Sequence, residues 1–395
     1  MNKKLLNTGV QDFINKNLNT DILSVLLKKV PFEGISAHEL AQQLEAKKKC
    51  REKLPLWFGT AGIYYPNKLH IAQSSSEITA RYKAAIVSGK SLLDATGGFG
   101  VDSYFFGQKM KEVVHCELKP ELSEIAAYNF GVFGIKNIQT MVGNGIDFLK
   151  KTELHFDWIY LDPSRRNEQK GKVFTLVDSL PNVPEHLMLL FSKSDRLLIK
   201  TSPLLDFSIG IQELQFVREI HVVAVRNEVR ELLWVLEKGY GDAIVIKTVN
   251  FTKKGPESFN FGLSEEKSVQ ATYAMPMTYL YEPNAAILKS GAFKTVGNRF
   301  QLKKLQEHSH LYTSDRLVDF PGRRFRITKS QPYGKKALLG LDIPKANITT
   351  RNFPMTVSAL RKRFQIKDGG DRYLFFTTDQ ESRSRVLVCT KVPEE

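Results

Sequence analysis

An α/β fold built on a mostly parallel sheet is predicted for the middle of this chain, and three observations predict it. From Gln73 to about Asn250 short apolar runs alternate with helical patterns, the arrangement that covers a parallel sheet on both faces. Three of the runs end in an acid: Leu92-Leu93 in Asp94, Val113-Val114-His115-Cys116 in Glu117, and Trp158-Ile159-Tyr160-Leu161 in Asp162. The first opens into a glycine cluster, Gly97-Gly98-Phe99-Gly100. Acids and glycines at strand ends belong at the carboxyl edge of such a sheet, where open α/β folds take their ligands.

The elements follow in order. Residues 1–72 read as a mainly helical region. Ile22, Val25, Leu26 and Val30 share one face, Ala37, Leu40, Ala41 and Leu44 another, and Ser36-x-x-Glu39 is a capping box. The lysine run 47–53 reads as a solvated helix face. Trp57 and Tyr64, in an aromatic stretch broken by Gly and Pro, are expected to pack. A second capping box, Ser74-x-x-Glu77, opens the next helix. Strands are predicted at 91–95, 112–117, 137–142, 157–162, 195–201, 217–225, 230–237 and 243–250. Turns near Asn227 and Gly239–Asp242 are too short for a parallel crossover, so an antiparallel hairpin is expected at the sheet edge. Residues 73–255 therefore form the central domain, 256–276 a polar linker and 277–320 a small, ferredoxin-like α+β region. Residues 321–395 form a basic α+β domain with strands at 324–329, 373–377 and 386–392 and a helix at 356–364.

Composition narrows the function classes. The chain has 395 residues, 42% of them hydrophobic, enough for two or three packed domains. No apolar run reaches the length of a membrane span, and Asn7, Thr8, Gln11 and Asp12 leave no apolar core for a secretory signal. Cys50, Cys116 and Cys389 are too few and too scattered for a disulfide framework or a cysteine metal site, which points to a reducing cytoplasm. The pair His308 and His310 has no further ligand at metal spacing, so no metal is expected. Net charge is +15, and residues 285–395 hold 22 Lys+Arg against 10 Asp+Glu. A folded basic module of this kind suits a polyanion such as RNA, or is simply a basic surface.

The candidate chemistry sits at the strand ends. Gly97, Gly98 and Gly100 permit a tight turn and a close ligand, with helix N–H groups beyond. Asp94 would repel a dinucleotide pyrophosphate but can accept from a cationic amino-acid tail, which favours S-adenosylmethionine (SAM) over NAD. Glu117, 23 residues further on, can accept both ribose hydroxyls. Asn144 can accept from an adenine amino group or serve as a turn residue. Thr96, Leu118 and Gly145 complete the candidate cofactor set. In Asp162-Pro163-Ser164-Arg165-Arg166, Pro163 stiffens the loop and Asp162 can orient or deprotonate a substrate nitrogen. Arg165 and Arg166 fit phosphate or form structural ion pairs. Lys200, Ser202 and Asp206, at the end of the strand near 195–201, border the same mouth.

These residues carry a resemblance. Residues 73–250 are similar to the class I SAM-dependent methyltransferases, and the whole chain resembles bacterial members that end in a THUMP-like domain. The matching segments are Gln73–Glu77, Ala80–Lys83, Asp94–Asp102, Asp162–Arg166, Ser202–Asp206 and Arg351-Asn352-Phe353-Pro354. The resemblance implies a Rossmann-like seven-stranded sheet, with Asp94 and the glycines toward the methionine part, Glu117 on the ribose and Asn144 at the adenine. THUMP domains are known for RNA binding. Ser164 departs from the second proline of the Asp-Pro-Pro motif of base methyltransferases, and no aromatic follows. A cysteine nucleophile is not placed for use. The expected function is methyl transfer to RNA, rRNA or tRNA. A non-catalytic RNA-binding protein of this fold, and a methyltransferase for a small molecule or protein, stand as alternatives.

Overall fold

The computed structural model describes residues 1–27, 30–165, 175–334 and 341–393. The chain divides into two compact units, Met1–Arg218 with Leu232–Gly241, and Glu219–Glu231 with Asp242–Glu395.

The first unit begins with helices. Ser36 and Glu39 form the expected capping box at the start of Ala37–Lys53. The second box is not formed as expected. Ser76, not Ser74, caps the helix Glu77–Ile86, and the Glu77 carboxylate accepts from the Leu56 N–H instead. Lys47, inside the lysine run, is buried and donates to Asn15 at 2.6 Å. Trp57 and Tyr64 are buried, Trp57 against Tyr104 and Phe133.

Strands β1 (Ser91–Asp94), β2 (Glu112–Glu117), β3 (Ile138–Val142), β4 (Trp158–Leu161) and β5 (Arg196–Thr201) are parallel. Leu92, Leu93, Ile159, Leu161 and Leu197–Ile199 are all at 0% exposure. Continuous apolar runs of this kind form strands covered on both faces. With β6 (Val217–Val225), β7 (Glu228–Glu237), β8 (Val245–Thr252) and β9 (Gly255–Gly262), the hydrogen-bonded order is β9-β8-β6-β7-β5-β4-β1-β2-β3.

Two expectations need correction. The hairpin predicted from 217–225 and 230–237 is not at the sheet edge. Arg226 and Asn227 both take positive φ, 53° and 63°, the geometry of a tight hairpin turn. They send β7 back antiparallel to β5, inside the sheet, while β8 runs parallel to β6. Nor is 256–276 simply a linker. β9 pairs antiparallel with β8 from Val245↔Gly262 to Thr252↔Gly255, and Leu263–Ser268 is helical. Phe259 and Phe261 alternate inward from β9, a period-two signal masked by the polar residues between them.

The second unit closes with a seven-stranded sheet. Its strands are β10 (Tyr279–Pro283), β11 (Lys303–Lys304), β12 (Tyr312–Ser314), β13 (Gly322–Pro332), β14 (Asn347–Arg351), β15 (Arg372–Thr378) and β16 (Ser384–Lys391), in the order β11-β12-β10-β13-β16-β15-β14. Alternate residues of β15 and β16 feed two cores. Leu374, Phe376, Val386 and Val388 pack with Leu360 of the helix Val357–Phe364, while Phe375, Leu387 and Cys389 pack with Leu280 and Phe325. The motif residue Arg351 is structural: with Arg323 it grips the buried Glu282 carboxylate, Arg351 Nη2 at 2.8 Å from Oε1 and Arg323 Nε at 2.6 Å from Oε2. Glu282→Ala should therefore lower the stability of this unit by about 2 kcal/mol, the worth of hydrogen bonds to a charged group. The two guanidiniums are one-third or more exposed and can turn to water, which keeps the loss from being larger. Urea titration followed by far-UV circular dichroism checks it; an unchanged midpoint rejects the role.

Candidate active site

The turn after β1 is held from both sides. Ala95 N–H donates to the Tyr160 carbonyl of β4 at 3.0 Å, and Gly97 N–H to the Cys116 carbonyl of β2 at 2.7 Å. Glu117, at the end of β2, accepts from Gly98 N–H at 2.9 Å and from Lys119 N–H at 2.8 Å. Gly145, in the turn after β3, lies against Ala95: a Cβ there would overlap the Ala95 carbonyl oxygen and sit 2.7 Å from its Cα. Asp162 N–H, after β4, donates to Thr96 Oγ1 at 2.7 Å. Four predicted strand-end loops thus meet at one place, as their glycines and acids require.

Not every side chain faces as expected. Asp94 is 1% exposed. Its carboxyl group lies beneath the turn, accepting from Thr96 N–H at 3.1 Å and sharing a hydrogen bond with Ser103 Oγ at 2.5 Å. Burial pushes its carboxyl up to about 8 against the pull of the Ser103 bond, and the charges of Asp102 and Asp162 push the same way. Asn144 caps the helix Gly145–Lys151, its side-chain oxygen accepting from Ile146 N–H at 2.8 Å, so the atom assigned to adenine already has a donor. Thr96 braces Asp162. Gly98 and Gly100 take the positive φ, 57° and 84°, that their turn demands.

At the rim, Leu118 is 66% exposed and Val142, at the end of β3, is 59% exposed. Val142 was not singled out from sequence because it reads as an ordinary strand residue. Across the turn, Lys200 is ion-paired with Asp162, and Pro163 is buried behind it. Ser202 Oγ accepts from Leu204 N–H at 3.3 Å, and Asp206 caps the helix Phe207–Glu213. Arg165 is described only as backbone, in a two-residue pairing with Ser179, and Arg166 lies outside the described residues.

Sequence reasoning missed the buried polar layer under the turn. Lys83, at 0% exposure, is 3.3 Å from Asp102 Oδ1. Ser75 Oγ and Tyr160 Oη donate to Asp102 Oδ2 at 2.8 and 2.9 Å. Ser75, Lys83 and Asp102 all fall within the matching segments, which was the available signal. All three cysteines are buried, and burial pushes the Cys116 thiol up to about 12, so none offers a thiolate near neutral pH. Among the described residues there is no group of three side chains able to hold a metal, and His310 instead stacks on Phe293 at 3.7 Å. No helix among the described residues is long and apolar enough to cross a membrane.

Residues 322–391 match the family described as THUMP domain-like, and residues 279–321 one described as a ferredoxin-like domain. The crystal structure of a "putative methyltransferase" from Porphyromonas gingivalis W83 is similar to the whole chain, with 31% identity, a TM-score of 0.89 and 99% of each chain covered. The chain belongs to the class I methyltransferase-fold family whose members end in a THUMP-like domain. Within unit one of this chain lies the β1–β5 parallel sheet with antiparallel β7, and in unit two the seven-stranded sheet takes its strands from both C-terminal matches. An rRNA methylase from Streptococcus thermophilus is also similar, at 16% identity and a TM-score of 0.30, over 41% of this chain and 94% of that one. No curated protein matches the chain.

Proposed function

We propose that the chain is a SAM-dependent methyltransferase that modifies RNA. The observation that carries the reading is the convergence of the loops after β1, β2, β3 and β4 on one glycine turn. The residues fit the cofactor. Each Glu117 oxygen has one N–H donor and keeps a second lone pair for a ribose hydroxyl. The exposed Leu118 and Val142 side chains offer apolar cover for a flat base. Asp94, Gly97, Gly98 and Gly100 shape the turn for the methionine part, and Asn144 and Gly145 set the adenine end. When bound, SAM supplies an electrophilic methyl group.

The chain's own residues do the rest. Lys200 and Thr96 fix Asp162, whose Oδ1, the oxygen not paired with Lys200, accepts the hydrogen of the acceptor nitrogen and holds or removes that proton. Rate is gained chiefly by positioning the acceptor. Pro163 keeps the loop rigid, and Lys200 and Ser202 border the acceptor. The basic excess of residues 285–395 neutralises phosphates, an interaction that weakens steeply with salt.

The test is purified protein with methyl-labelled SAM and total RNA from a strain lacking it, followed by nucleoside mass spectrometry. Label in one modified nucleoside is expected. Failure to bind SAM by calorimetry overturns the enzyme and leaves an RNA-binding protein of this fold; RNA affinity indifferent to salt overturns the RNA part.

A further inference from the structure

Beneath the glycine turn runs a hydrogen-bonded chain that the catalytic reading does not use. Asp94 Oδ2, Ser103 Oγ and His115 Nδ1 are linked at 2.5 Å and 2.8 Å, and the three residues are exposed by 1% or less. The chain ends blind: His115 Nε2 is buried without a hydrogen-bond partner. That ring packs directly against Gly97, where a Cβ would overlap it, so the chain joins the turn to the interior.

A hydroxyl between two such groups has one hydrogen, so with both ends neutral or the acid ionised the chain runs in one of two directions. With Asp94 protonated, the carboxyl donates to Ser103, Ser103 donates to Nδ1, and the imidazole hydrogen sits on Nε2. With Asp94 ionised, Nδ1–H donates to Ser103 and Ser103 donates to the carboxylate. The surroundings oppose the second state while no cation is bound. Asp102 on the helix Val101–Gly107 and Asp162 after β4 both repel a charge on Asp94. On β2 it faces His115 and the Cys116 thiol. The cation of this layer, Lys83, is paired with Asp102, which also accepts from Tyr160.

We infer that a cationic cofactor settling on the glycine turn ionises Asp94, reverses this chain and releases one proton, which makes Asp94 the residue that selects a cation over its neutral counterpart. The hydrogens balance: three before (on the Asp94 carboxyl, Ser103 Oγ and His115 Nε2) become two after (on Ser103 Oγ and His115 Nδ1), and the one released exchanges with solvent when the turn packed on the buried ring opens. The new carboxylate charge answers the charge of the ligand. Burial supports the starting state, raising Asp94 to about 8 and lowering His115 to about 4, which favours the neutral form of both. The inference rests on the SAM reading.

The experiment is calorimetry on the full chain with SAM and with its demethylated product S-adenosylhomocysteine, at pH 6.0 and 7.5, in buffers of different ionisation enthalpy. SAM affinity should rise with pH by up to about tenfold per unit, with up to one proton released. The product lacks the sulfonium and should show less of both. Asp94→Asn should flatten the pH dependence. Should that variant not fold, Ser103→Ala removes a hydrogen bond that favours the charged form and should move the transition to higher pH. Binding of both ligands with no pH dependence and no proton release overturns the inference alone. Binding of neither ligand at either pH overturns the methyltransferase reading, and the inference with it.

Discussion

Gly97→Ala is expected to abolish measurable SAM binding and to lower the stability of the first unit by about 3 kcal/mol, the upper end of overpacking costs. The new methyl group would occupy the place of the His115 ring. Neither side can yield cheaply. The ring stands edge-on to Phe130 at 5.6 Å and is bonded to Ser103 at 2.8 Å. The Gly97 backbone is fastened to the Cys116 carbonyl at 2.7 Å. Relief by moving the turn takes Gly98 N–H off Glu117 and shifts the surface on which the cofactor would rest. Thermal unfolding and SAM titration measure the two effects. The double variant Gly97→Ala/His115→Ala supplies the control, since trimming the ring makes room for the methyl. A coupling of about 1 kcal/mol or more between the two changes is expected of groups in direct contact. A single variant that keeps its melting temperature and binds SAM normally rejects the placement of the turn.

How much of this was legible in the sequence depends on whether a feature is local. Strands β1–β5 lie within a residue or so of their expected bounds, because apolar runs closed by Gly, Pro or an acid declare a doubly covered strand without help from distant residues. The meeting of Asp94, Glu117, Gly145 and Asp162 was legible for the same reason: parallel strands deliver their ends to one edge. The direction of the Asp94 side chain was not. It is decided by Ser103, on the following helix, and His115, on the neighbouring strand, which bury the carboxyl that an acid at a strand end otherwise offers to a ligand. Asn144 likewise obeyed a local preference, capping the helix it begins. Strand β9 was hidden by composition, since Gly255-Pro256-Glu257-Ser258 reads as a linker until β8 is there to pair with it. Arg351 belongs to a recognisable motif, yet its partner Glu282 lies 69 residues earlier, a pairing that neither periodicity nor spacing contains.

Asp162→Asn is expected to cut methyl transfer by at least about a hundredfold, the low end of what a positioned general base contributes, with SAM affinity changed by no more than about threefold. The amide has nearly the shape of the carboxylate. It can still accept from Lys200, and the Thr96 bond, made through the Asp162 backbone N–H, is untouched. What is lost is the negative charge and the capacity to hold a proton. Lys200→Met separates placement from chemistry: it keeps the carboxylate but frees it from its ion pair, and a loss of about tenfold is expected, confined to turnover. Full labelling of RNA by Asp162→Asn would remove Asp162 from the chemistry. The glycine turn would then remain the proposed binding site, and the acceptor would have to be activated by another group at these strand ends.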